Sequence, residues 1–275
     1  MLKQMNWLFC VVIGVAVHAE PPKTAAPPEL LLDVEKADWK GSSRGDVRAV
    51  LVSAADQMLP YFPGAKIERL RVTNPGGPIV LYERDKDGAV RVKLDTGANL
   101  WAQTAFQFAH ELTHVLCRFR TGSNPNKWLE ESLCETGSLF TLRRMGEAWK
   151  VKPPYANWKD YSKSLTAYAD ERVKAATLPA GTSLAEWYKE NEPALRKTAT
   201  DRPRNTTVAV VLLGILERSP ESWAAVYYLN QGAVAKDESI AACLARWHAQ
   251  APKEHRAFVR EVGRALGVEV SASPL

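Results

Sequence analysis

The chain has 275 residues, 46% hydrophobic and 24% charged, long enough for one sizeable core or two small ones. Its 16 Gly and 17 Pro follow no short period, which excludes a collagen-like or low-complexity chain. The net charge of +5 comes from 36 basic and 31 acidic residues scattered along the whole length, and the densest basic runs, Arg118 to Arg120 and Arg143 with Arg144, are short, so no nucleic-acid partner is expected.

In chain order, Lys3 precedes an apolar run from Trp7 to Val17, and Val17, His18, Ala19 places small or β-branched residues where a signal peptidase reads. Residues 1–19 are therefore expected to be a signal peptide, and the mature chain to be exported, either periplasmic or secreted. The run of 11 residues falls short of the about 20 that a membrane-spanning helix needs. The longest later run, Val208 to Leu216, has nine and includes Gly214, so no stable membrane anchor is expected. Outside the signal segment, with its Cys10, stand Cys117, Cys134 and Cys243, an odd count in a compartment that permits disulfides. Each reads as a small buried hydrophobe, with a Cys117–Cys134 bond as the alternative.

Residues 20–29, EPPKTAAPPE, read as a Pro-rich linker. Leu30 to Val34 reads as a short strand, and Asp46 to Leu59 as an amphipathic helix stopping before Pro60. Strands follow at Ile67 to Thr73, Pro78 to Glu83 and Ala89 to Leu94, the last two joined by the turn-forming Asp85 to Gly88. One helix is expected from about Asn99 to Arg120 and another from Asn124, with Pro125 in its first turn, to Met145. Later helices open at a capping box, Ser183 to Glu186, at Ser219 with Pro220, and at Asp237; a last one runs from Pro252 to Leu266 and closes at Gly267. Strands first and helices after predict an α+β fold: a sheet lobe with a central helix pair over residues 30–146, and a helical C-terminal lobe over 147–275.

The first central helix contains His110, Glu111, Leu112, Thr113, His114. In this H-E-x-x-H pattern two imidazoles four residues apart project from one helical face, with Cβ atoms about 6 Å apart, and one zinc ion can bridge them. Glu111, one residue round the helix, can reach a water on the metal without being a ligand. Trp101, Ala105, Phe108, Leu112, Val115 and Phe119 form one apolar stripe and Ala102, Phe106, Ala109 and Leu116 another, so the helix is expected to be buried. Buried imidazoles need partners, since an unsatisfied buried polar group costs on the order of 1 to 3 kcal/mol. A catalytic zinc keeps three protein ligands and one open position. The second helix offers adjacent acids, Glu130 and Glu131, ahead of an apolar run, and one of them is expected to point inward.

Together with Trp128 and Leu129, these residues resemble the gluzincins, the thermolysin-like and aminopeptidase-like zinc peptidases. Their second helix carries a W-L-x-E-G-x-A-like or N-E-x-x-S-D-like segment about twenty residues after the second histidine; here Glu131 follows His114 by 17. The resemblance covers about Ile67 to Met145. It implies a thermolysin-like catalytic core, with Glu131 as third zinc ligand. Glu130 then falls on a variable, solvated position, and Glu135 accepts a hydrogen bond from the first histidine. Ser132 stands where the family has glycine, and Gly76 to Glu83 lacks the G-x-M-E-N aminopeptidase segment. In the family's order, Pro78 to Glu83 is an edge strand that pairs with an extended peptide.

The resemblance implies a zinc-dependent metallopeptidase acting on a peptide or protein substrate: zinc on His110, His114 and Glu131, with Glu111 as general base. The family's transition-state donor is a Tyr or His of the C-terminal lobe, where Tyr168, Tyr227, Tyr228, His248 and His255 are all available. The alternatives are a non-catalytic protein that holds a peptide or cell-wall partner on the same scaffold, and a zinc hydrolase acting on another amide or ester.

Overall fold

The computed structural model describes residues 25–270, so the expected signal peptide and the start of the linker lie outside the described residues. The linker's last residues are irregular, with Ala26 O accepting a hydrogen bond from Gly64 N–H at 2.8 Å. Strand β1 (Leu32–Val34) leads to helix α1 (Arg44–Met58). The Ser43 hydroxyl caps that helix by accepting from Asp46 N–H at 3.0 Å. Its apolar positions Val47, Val50, Leu51, Ala54, Ala55 and Met58 are all buried. Strands β2 (Leu70–Thr73), β3 (Ile79–Arg84) and β4 (Val90–Lys93) complete a mixed sheet of order β1-β2-β4-β3. β1, β2 and β4 run parallel and β3 antiparallel to β4, leaving β3 at an edge. Gly88, at φ +80°, makes the β3–β4 turn, where Asp85 N–H donates to Ala89 O at 2.9 Å. β1 and β2 start two and three residues later than expected, β4 loses one residue at each end, and β3 keeps its length but is shifted by one.

The two central helices are α2 (Trp101–Leu116) and α3 (Lys127–Val151). α2 is shorter than its pattern suggests because Ala98, Asn99 and Arg118 have positive φ, which takes the chain out of the helical region at both ends. α3 begins after Asn124 and Pro125, not at them, and runs past Met145, so the expected division at 146/147 falls inside a helix. Small residues on α3 let it approach α2 closely. A Cβ on Gly137 would collide with Thr113 Oγ1, and Ser138 Oγ donates to Phe106 O at 2.8 Å. Gly137→Ala is therefore expected to destabilise the fold by about 1–3 kcal/mol through overpacking, a drop of about 2–4 °C per kcal/mol in the melting midpoint. An unchanged midpoint in calorimetry would show that this crossing has slack.

The rest is helical: α4 (Ser162–Ala176), α5 (Leu184–Lys197), α6 (Arg202–Arg218), α7 (Ile240–Gln250) and α8 (Arg256–Ala265). The capping box at α5 is present in full: Ser183 Oγ accepts from Glu186 N–H and Glu186 Oε2 from Ser183 N–H. One expected start is displaced, since Ser239, not Asp237, caps α7; Ser219 with Pro220 opens a helix as expected, but a 3-10 helix, Pro220–Tyr228. Gly267 closes α8 at φ +70°. The fold is thus α+β, with one contiguous core from Leu32 to Leu266 that includes both expected lobes. Cys117, Cys134 and Cys243 are buried free thiols. Among the described residues no helix is long and apolar enough to cross a membrane.

Candidate metal centre

One helical turn apart on α2, the His110 and His114 rings lie 5.1 Å apart between centroids. Both turn Nε2 toward the same atom, Glu131 Oε2 on α3, at 3.4 Å from His110 and 3.6 Å from His114. Ligand atoms at the corners of a tetrahedron with bonds of about 2.0–2.1 Å are roughly 3.3–3.4 Å apart, so these spacings suit a single ion among them. His110 and His114 also form, with Cys134, a group whose ligand atoms all lie within 4.8 Å of one another. Cys134 is fully buried and does not line the cleft. Glu131, by contrast, lines the cleft with both histidines.

The electrostatics fit a cation. Burial works against ionisation of Glu131, yet the two imidazoles prevail and hold its carboxyl far below the usual range. Burial likewise opposes charge on His114, but Glu130 and Glu131 prevail and push it up to about 10. Glu131 and Glu135 raise His110 against the same opposition. The two imidazoles are thus drawn toward their protonated forms and Glu131 toward its ionised form, and a divalent cation would take the place of the imidazole protons.

The outward nitrogens are also held. Glu130, expected on a solvated position, is only 2% exposed. Its Oε1 lies 2.6 Å from His114 Nδ1 and 2.6 Å from Lys127 Nζ, while Oε2 accepts from Asn230 Nδ2 at 2.7 Å. The expectation fails because α3 is buried on nearly every side and leaves no wet face at this position. Such a carboxylate fixes the imidazole tautomer and frees Nε2 for a metal. Glu135 stands behind His110 as the spacing implies, but Oε2 is 3.8 Å from Nδ1, an ion-pair distance rather than a hydrogen bond, and Oε1 accepts from Thr206 Oγ1 at 3.2 Å. Neither Lys127 nor Asn230 has a local pattern that marks it; Asn230 comes from a segment 100 residues after Glu130.

The cleft encloses about 250 Å³. One wall is β3 with Pro78, Ile79, Val80 and Tyr82, and the other is the start of α6, with Thr200, Arg202 and Asn205. Glu111 is 3% exposed, and burial raises its pKa, with the Val80 backbone N–H among the groups opposing the rise. Asn205 is buried with Nδ2 donating to Ala199 O at 2.8 Å and Oδ1 without a partner. Of the five aromatic and histidine candidates for a transition-state donor, none lines the cleft. Tyr227 OH accepts from Lys66 N–H, Tyr228 stacks on His255, and His248 Nε2 contacts Arg260; Tyr168 lines a small recess beside His110. Arg202 and Asn205 stand where the sequence directs attention to those aromatics.

Comparison with known protein families, curated proteins and solved structures finds no match to this chain.

Proposed function

We propose that the chain is an exported zinc metallopeptidase of the gluzincin kind, with a thermolysin-like core, that hydrolyses peptide bonds. His110, His114 and Glu131 hold one zinc ion and Glu111 is the general base. The observation that carries this reading is the convergence of two Nε2 atoms on one Glu131 oxygen, at 3.4 and 3.6 Å, in a cleft that also contains buried Glu111. Zinc, when bound, supplies Lewis acidity for activating a water and polarising a carbonyl.

The chain's own residues do the rest. Glu111 is lifted by burial toward the pH at which it works, so it can take a proton and later deliver it to the leaving amine. Glu130 orients the His114 imidazole from behind, and Glu135 faces His110 at an ion-pair distance. β3 pairs only with β4 among the described strands, and its free edge carries Ile79 and Tyr82, each 45% exposed. That edge offers backbone hydrogen bonds to an extended peptide.

The test is metal content of the purified mature chain, followed by cleavage of casein or a peptide library with and without chelator. One equivalent of zinc and chelator-sensitive cleavage are expected. Absence of zinc would sink the reading; stoichiometric zinc without cleavage would favour the binding protein on the same scaffold.

A further inference from the structure

Beside the candidate metal centre lies a smaller recess of about 120 Å³ that shares Pro78, His110, Glu135 and Arg202 with the cleft lining. Its far side is formed by Phe106 of α2 with Tyr168 and Arg172 of α4. The Arg172 guanidinium is held in place: its carbon lies 4.6 Å from the centre of the Phe106 ring and 4.2 Å from that of Tyr168, and Nη2 donates to Tyr168 OH at 2.5 Å. Its Nε is buried without a hydrogen-bond partner. Among the described residues neither Arg172 nor Arg202 is in an ion pair. The one acid in the recess, Glu135, is already engaged by Thr206 and faces His110. Two guanidiniums thus line a small cavity against a single carboxylate, which pairs with neither of them.

An apolar side chain entering the recess would cover the half-buried Arg172 guanidinium and the exposed Arg202 guanidinium without giving either charge a partner, which is costly. A carboxylate satisfies them. Guanidinium binds it through two parallel N–H donors, and a guanidinium already stacked on two rings loses little freedom in doing so. We propose that this recess is a substrate subsite for a carboxylate, carried by an Asp or Glu side chain next to the scissile bond or by a free C-terminus. The proposal rests on the peptidase reading and names its substrate class.

The probes are short acetylated peptides in matched pairs, Glu against Gln at the position flanking the scissile bond, and free against amidated C-terminus. Binding is read by calorimetry on the zinc-loaded Glu111→Gln chain and cleavage on the unaltered chain. One pair is expected to show a preference of about tenfold or more for the charged member, the worth of a charge-assisted hydrogen bond. Arg172→Gln and Arg202→Gln should each shrink that preference, and Arg202→Glu should shift it toward a Lys peptide, with melting midpoint and zinc content confirming intact folding. Equal affinity within both pairs overturns the subsite. Cleavage without charge preference likewise overturns it and leaves the peptidase reading standing, whereas a binding preference without any cleavage keeps the subsite and removes the peptidase.

Discussion

Glu111→Gln is expected to keep zinc at one equivalent and lower kcat by about 10²–10⁴-fold, the usual contribution of a positioned general base. The side chain is not among the three groups that converge on the metal position, and glutamine preserves its volume in a site where only 3% of the residue is exposed. What it loses is the carboxylate oxygen that takes the proton in the proposed reaction. The paired measurement is zinc by mass spectrometry and turnover on a fluorogenic peptide. A variant that retains full turnover refutes the role of Glu111, and one that loses zinc as well shows that the residue holds the site together.

The second large effect concerns Glu130. Its removal leaves His114 Nδ1, the Lys127 ammonium and the Asn230 amide without their common acceptor inside the protein. Breaking a buried charge pair from one side costs about 3–5 kcal/mol, and loss of the carboxylate behind a metal-binding imidazole costs about 10–100-fold in metal affinity. Glu130→Ala is therefore expected to lower the urea midpoint markedly and weaken zinc in a competition titration. Glu147→Ala makes the control: Glu147 pairs with Lys150 on the surface, where such a pair is worth about 0–1 kcal/mol. If the two variants behave alike, Glu130 is not the buried anchor described above.

How much of this was legible beforehand follows from how local each relation is. His110 and His114 are one turn apart, so their shared face is a property of any helix, and the apolar stripes that bury α2 lie in the same stretch. The β3–β4 hairpin with its Asp85–Gly88 turn is local as well, whereas the parallel pairings of β1 with β2 and β2 with β4 join distant stretches. Choosing Glu131 over Glu130 required a resemblance, because adjacent positions on a helix differ by about 100° and the pattern alone leaves either inward. The role of Glu130 depends on what packs over α3, and that cover comes from far along the chain. Arg202, Asn205 and Arg172 reach the centre from α4 and α6, in stretches with no periodic or motif signature. The ends of α2 were misjudged because Ala98 and Arg118 adopt a backbone conformation that sequence ordinarily reserves for glycine.

Asn230 donates both to the Cys117 carbonyl at the end of α2, at 3.1 Å, and to the Glu130 carboxylate of α3. A single amide from the last fifth of the polypeptide thus clasps the two helices that carry the centre. During synthesis such a contact forms only when the late segment has been made and has closed a loop of 100 residues, which is slow compared with local helix formation. A nascent or C-terminally truncated chain that lacks Asn230 therefore lacks this clasp between the two helices.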